Sequence, residues 1–247
     1  DGVMRVRPFR SPHHSASSAS LIGGGTIPKP GEISLAHRGV LFLDEFPEFP
    51  RHVLETLRQP LEDGMVTVAR AHGTVTFPAR FLLVAAMNPC PCGFATDPDQ
   101  ECVCSPMQMA KYRKRLSGPL LDRIDLLIEV PKVPPNRLVS LEEGESSAAV
   151  RARVQVARER QSSRIAETHV LTNAELTSDH VRRFVKLEPS AGDILEKAVS
   201  RYRLSARAYF RTVKVSQTIA DLAGSDTICD VHVNEALCYR ELATRVN

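Results

Sequence analysis

Gly39-Val40-Leu41-Phe42-Leu43-Asp44-Glu45 decides the fold of this 247-residue chain. An apolar run opened by a glycine and closed by two acids suits a strand buried on both faces of a sheet. In open α/β sheets ligands lie beyond the carboxyl ends of the strands, which is where Asp44 and Glu45 emerge. Adjacent carboxylates there can divide the work. Asp44 is expected to hold a magnesium ion through water, and Glu45 to orient a second water for attack on phosphate. A strand whose acids merely face solvent is the plainer reading, and the neighbouring sequence has to decide between them.

Downstream, Val53, Leu54, Leu57 and Leu61 fall at helical spacing, so a helix is expected over 51–63, closed by Gly64. Val66 to Arg70 and Thr74 to Phe77 read as a β-hairpin turning through Ala71-His72-Gly73, with Arg70 and His72 near its tip. Phe81 to Met87 is a second buried-strand run that ends in Asn88, an amide placed to help position the attacking water. Leu126 to Val130 is a third. Upstream, Met4 to Phe9 alternates like a short strand, and Ser11 to Ser15 offers helix-start chemistry to the run 16–21. His13 and His14 have no Cys, Asp or Glu at metal-ligand spacing beside them, so they read as a helix cap or a partner contact. Gly23 to Gly31 is a glycine- and proline-rich surface insertion, without the Gly-Lys-Ser/Thr of a phosphate cradle.

Beyond the proline-rich segment 131–135 the pattern changes to helix, as in Ile194/Ala198 and Val215/Ile219/Leu222. The expected organisation is an α/β region over 1–132, a linker over 133–150 containing a mobile loop at 142–147, and an all-α domain over 151–247. A hydrophobic fraction of 43% and a charged fraction of 25% are those of an ordinary globular protein. A net charge of +3 permits a nucleic-acid partner without requiring one. No apolar run approaches the ~18 residues of a membrane span, and Asp1 to Arg5 resembles no targeting segment. Six cysteines without a secretory signal point to a reducing compartment, so a cytoplasmic location is expected.

Four of those cysteines are paired in sequence, Cys90-Pro91-Cys92 and Cys102-Val103-Cys104. Four thiolates so close together suit a tetrahedral structural zinc, and disulfides are the rival that a reducing compartment disfavours. The spacing within each pair is tighter than the usual two-residue gap. Cys229 and Cys238 read as core residues of the helical part.

Several blocks carry a resemblance: Arg7-Pro-Phe-Arg-Ser-Pro-His-His14, Pro28-Lys-Pro-Gly-Glu-Ile-Ser-Leu-Ala-His37, Gly39 to Glu45, Met87-Asn-Pro-Cys-Pro-Cys-Gly93 and Ser117-Gly-Pro-Leu-Leu-Asp-Arg-Ile-Asp125. Over nearly the whole chain the sequence resembles the magnesium-chelatase-like AAA+ ATPases of the ComM/YifB type. The resemblance implies an AAA+ parallel sheet with helices, followed by a small all-α lid. It implies Walker B roles for Asp44 (Mg²⁺) and Glu45 (water activation), a sensor 1 role for Asn88, an arginine finger at Arg123 and a sensor 2 arginine at Arg207. Segment 22–34 matches the helix-2 insert and 65–79 the pre-sensor-1 hairpin. Both point into a hexamer's pore in that clade, which makes Lys29, Arg70 and His72 candidate DNA contacts. The basic run Lys111 to Arg115 is a weaker candidate. The implied activity is an ATP- and Mg²⁺-dependent DNA helicase, working on single-stranded or branched DNA in recombination and natural transformation.

One departure matters. No G-x-x-x-x-G-K-[ST] occurs in the chain, and in the family that strand and loop precede the Arg7 block and sit between strands 81–87 and 126–130. The chain reads as the C-terminal portion of such an ATPase, inactive alone. Two other readings stand beside the helicase: a metal-chelatase motor subunit, and a non-catalytic, zinc-stabilised interaction domain.

Overall fold

Alternation sets the central strand. β4 (Val40–Leu43) turns Leu41 and Leu43 into full burial while Val40 and Phe42 on the other face stay half-buried. It is the middle of a three-stranded parallel sheet, ordered β1–β4–β7, with β1 at Phe9–Arg10 and β7 at Leu82–Ala85. This computed structural model describes residues 6–25, 27–70, 73–134 and 144–246, the side chains of Arg70 and 241–246 excepted. The strand expected over Met4 to Phe9 lies partly outside those residues and is otherwise shorter than its alternation suggests. Pro8 has no N–H to give, and its carbonyl accepts from Val40 N–H at 2.8 Å. The strands approach so closely there that a Cβ on Gly39 would stand 1.9 Å from the Pro8 oxygen.

Between β1 and β4 the chain makes α1 (Ser18–Ile22), a two-residue antiparallel pair β2 (Gly23–Gly24) and β3 (Lys29–Pro30), and α2 (Glu32–Leu35). The base of this insertion is held by fully buried Leu21 and Ile33. A two-pronged bond from Arg10 to Glu32, at 2.6 and 2.7 Å, ties it to β1. Its tip is exposed, as expected of the glycine/proline loop, with Ile27 at 74%.

The helix expected over 51–63 is two helices. α3 (Arg51–Glu55) and α4 (Arg58–Asp63) are separated by a turn at Thr56–Leu57. Pro60 cannot return a hydrogen bond to the Thr56 carbonyl, so one continuous helix loses a rung there. Gly64, at φ +68°, does end the element. β5 (Met65–Arg70) and β6 (Gly73–Pro78) then form the expected hairpin, in register from Met65↔Pro78 to Arg70↔Gly73. Val66 and Val68 are buried on one face, while the Thr67 and Thr76 hydroxyls meet at 3.1 Å on the exposed one. α5 (Pro106–Arg113) and α6 (Gly118–Leu121) complete a first compact unit that ends at Arg123.

The second unit, Ile124–Val246, is helical: α7 (Ser147–Arg164), α8 (Ser178–Phe184), α9 (Pro189–Tyr202), α10 (Ala206–Ala223) and α11 (Asp230–Val246). Ile165, Leu195, Val213, Ala220 and Val233 form its apolar centre. Within it Asp221 is fully buried and takes both Arg164 nitrogens, at 2.7 and 2.6 Å, plus Asn173 and Gln217 amides at 2.8 and 3.1 Å. The strand expected at 126–130 and the core placement of Cys238 are not found in this unit. Leu126–Val130 forms no strand; Leu127 donates to the Tyr239 carbonyl of α11 instead, because a parallel strand needs a partner ladder and none lies beside it among the described residues. The linker placed at 133–150 is partly outside the described residues, the loop 142–147 with it, and its last four positions are already α7. Cys238 is exposed rather than a core residue, and Cys229 is only half-buried against His232. No helix among the described residues is long and apolar enough to cross a membrane.

Candidate functional site at the carboxyl end of the sheet

Strand register brings the site together. Leu43 ends β4 opposite Ala85 of β7, and the alignment continues past both strands. Ala86 N–H reaches the Leu43 carbonyl at 3.0 Å, and Phe46 N–H reaches the Ala86 carbonyl at 2.9 Å. Asp44 and Glu45 therefore leave the sheet beside the segment that runs into Asn88, and all three side chains are exposed.

The turn that presents the acids is strained. Glu45 sits in the left-handed region at φ +50°, ψ +44°, an uncommon place for a residue with a Cβ. Asp44 Oδ1 accepts the Glu45 N–H at 2.8 Å, and the following Phe46–Glu48 turn is anchored by Phe46 and Phe49, each 2% exposed. Strain kept up by its surroundings clusters at functional positions, since something must over-determine it.

His14 supplies a contact that sequence reasoning missed. Its Nδ1 lies 2.7 Å from Glu45 Oε2, its ring sits 4.0 Å from that of His13, and its edge meets Phe49. The helix cap expected of these histidines is supplied by Ser17, whose hydroxyl accepts from Ser20 N–H. No local pattern signals the His14–Glu45 contact; only the pairing of β1 with β4 makes residues so distant in sequence neighbours.

The remaining candidates lie on other elements. Arg123, just after α6, gives Nη1 to the Pro119 carbonyl at 2.6 Å and sets Nε 3.2 Å from Glu62 Oε2, with its side chain 10% exposed. Arg207, in the second unit, is exposed in the first turn of α10, where the positive end of the helix dipole disfavours a cation and favours an anion beside it. Lys29 is exposed on β3, Arg70 closes β5, and His72 lies outside the described residues. In the basic run, Tyr112 is buried and donates its hydroxyl to the Asn88 carbonyl at 3.2 Å, while Arg115 bonds Glu48 and the Pro47 carbonyl at 2.7 and 3.0 Å. Burial pushes the Tyr112 phenol above its ordinary range. Tyr112 and Arg115 thus hold the site's surroundings together.

Cys90, Cys92, Cys102 and Cys104 converge, all four sulfurs lying within 4.8 Å of one another. The Phe94 amide pulls the Cys92 thiol down to about 6, and burial pushes Cys104 up to about 12. Such a soft four-sulfur donor set fits zinc.

A parallel sheet with paired acids and an amide at its carboxyl end, in a chain that continues into an all-helical unit, has the AAA+ architecture. The chain belongs to the magnesium chelatase ChlI family: residues 1–138 match the family described as magnesium chelatase, subunit ChlI, and residues 144–240 match its C-terminal family. It is 53% identical over 239 residues to Competence protein ComM of Haemophilus influenzae, covering 96% of this chain and 46% of that protein. Uncharacterized protein YifB of Escherichia coli is 50% identical over 239 residues with the same coverage. A likeness at 29% over 106 residues, 43% of this chain and 15% of the other, extends to Probable DNA helicase MCM9 of Arabidopsis thaliana. The chain spans about half the length of the curated relatives it matches.

Proposed function

We propose that the chain belongs to an ATP-driven motor that moves along DNA, acting as a homo-hexamer in the cytoplasm and promoting branch migration in recombination and natural transformation. The observation that carries this is the strained exit of Asp44 and Glu45 from β4 beside Asn88, with Glu45 held by His14. ATP is the substrate and Mg²⁺ its cofactor. Asp44 would hold that ion through water, and the ion would supply charge neutralisation at the phosphates. Glu45 orients and deprotonates the attacking water, Asn88 fixes that water's direction, and Arg207 receives the nucleotide's anionic end. Arg123 exchanges its Glu62 partner for the γ-phosphate held by a neighbouring protomer. The phosphate loop itself comes from sequence outside this chain. Similarity to a competence protein and to a DNA helicase supports DNA as the track.

Two measurements test this on the intact, phosphate-loop-containing protein. Lys29→Ala and Arg70→Ala, at the insert and hairpin tips, are each expected to weaken DNA binding for all sequences alike. Each should also flatten the log–log salt dependence by about 1, as the loss of one phosphate contact requires. His14→Ala leaves the Glu45 carboxylate unguided, so kcat is expected to fall on the order of tenfold with KM for ATP unchanged, and His14→Gln to restore part of it. A chelatase motor is the second reading, favoured by the family's own description. Absence of DNA affinity at low salt would select it.

A further inference from the structure

The four-cysteine cluster has sulfur spacings that suit a tetrahedral metal site, and its first member lies two residues beyond Asn88. Three of its sulfur separations are 3.4, 3.6 and 3.7 Å. Four thiolates around a tetrahedral zinc at ~2.3 Å stand about 3.8 Å apart. Disulfides need sulfurs in pairs at ~2.05 Å, whereas here Cys90, Cys92 and Cys102 are mutually near-equidistant and free. The first pair is shaped by a tight turn, in which Gly93 N–H bonds the Cys90 carbonyl at 3.1 Å. Gly93 takes φ +85°, open to glycine, and turns the next amide toward the Cys92 sulfur.

Connectivity gives the cluster its consequence. Cys90 is fully buried and lies two residues beyond Asn88. Cys104 immediately precedes Ser105, whose hydroxyl accepts from Gln108 N–H while the Gln108 side chain returns to Ser105 N–H, starting α5. Along α5, Tyr112 reaches back to the Asn88 carbonyl. The chain from 88 to 105 contains no regular element. A metal held by its two cysteine pairs would close that segment against the same helix whose Tyr112 bonds the Asn88 carbonyl.

We propose that Cys90, Cys92, Cys102 and Cys104 bind one zinc ion, and that this ion is a positioning node for Asn88. The positioning half rests on the motor reading above; the zinc half does not. Zinc binding releases the thiol protons and involves no electron transfer. When the ion is lost, Asn88 keeps its place in sequence but loses its fixed direction, so turnover suffers while nucleotide binding does not.

The test uses the intact protein with its phosphate loop, purified without added metal. Elemental analysis is expected to find about one zinc per chain, and the Cys102→Ser/Cys104→Ser double variant to have lost it. Cobalt(II) replacing zinc in the wild type should show the thiolate charge-transfer and d–d bands of a tetrahedral four-sulfur site, a readout independent of activity and of whether the variant folds. Chelator-stripped wild type is expected to lose on the order of tenfold in kcat with KM for ATP unchanged, recoverable by zinc. Tyr112→Phe should keep its zinc yet lower kcat in the same direction. A folded wild type without zinc, or holding iron instead, overturns the metal assignment. Zinc present but turnover indifferent to its removal overturns the positioning role and leaves the motor standing. A wild type that binds zinc but never hydrolyses ATP overturns the motor and the positioning role together.

Discussion

Replacing Glu45 by Gln in the intact protein is expected to cut ATP turnover by roughly 10²- to 10⁴-fold, the usual worth of a positioned general base. Affinity for ATP should stay within a few-fold. The amide keeps the length and shape of the side chain and can still meet His14, 2.7 Å from the present carboxylate oxygen. It cannot take a proton from water. Backbone strain does not confound the comparison, since Glu and Gln both carry a Cβ and meet the same penalty at φ +50°. The measurement is steady-state hydrolysis alongside equilibrium binding of a labelled nucleotide. A variant that loses less than tenfold in kcat would remove Glu45 from the role of base, whatever the fold.

The second large effect concerns stability. Asp221 is fully buried, bonded to both Arg164 nitrogens and to Asn173 and Gln217 amides. Asp221→Ala leaves the mostly buried guanidinium without a counter-charge and removes the acceptor of the Gln217 amide, while Asn173 keeps only its bond to Thr218. Breaking a buried pair from one side costs about 3–5 kcal/mol. For the helical unit this is a fall in Tm on the order of 10 °C. Exchanging the whole constellation for apolar residues of similar volume should cost far less, because no charge is then left unpaired. Thermal unfolding followed by circular dichroism distinguishes the two variants. A shift of only a degree or two for Asp221→Ala would mean that water reaches Arg164 freely.

The positions of the strands Val40–Leu43 and Leu82–Ala85 were legible from their apolar runs, but the burial of the second was not: Leu82–Ala85, read as a buried run, is mostly exposed, with Leu82 at 62%. The hairpin was legible because alternation and a short polar turn are local properties of residues 65–78. Pro60 was in plain view and breaks the helix expected over 51–63, yet the apolar spacing of Val53, Leu54, Leu57 and Leu61 runs straight through it. Spacing records which residues are covered, and it is blind to the missing N–H. Leu126–Val130 shows the opposite limit: a run can have strand composition and still lack a ladder to join. The placement of Asp44, Glu45 and Asn88 past the ends of their strands was readable from the apolar runs before them. His14 was not, because its partner is set by β1–β4 register and by nothing within its own neighbourhood. Asp221 was equally hidden, being one acid in an amphipathic helix until its neighbours are known.

The register of the parallel sheet also bears on how the molecule acquires its shape. Phe9 pairs with Val40 and Val40 with Leu82, so the two pairings close loops of 31 and 42 residues. Closure entropy grows only with the logarithm of length, leaving a few tenths of a kcal/mol between them. Neither pairing is strongly preferred over the other as the earlier event on those grounds. The β5–β6 ribbon and the short helices are local and should form within microseconds, shortening the effective tether between β4 and β7. Glu45 and Asn88 come alongside each other only once β4 and β7 have paired, so their approach reports on the longer of the two closures.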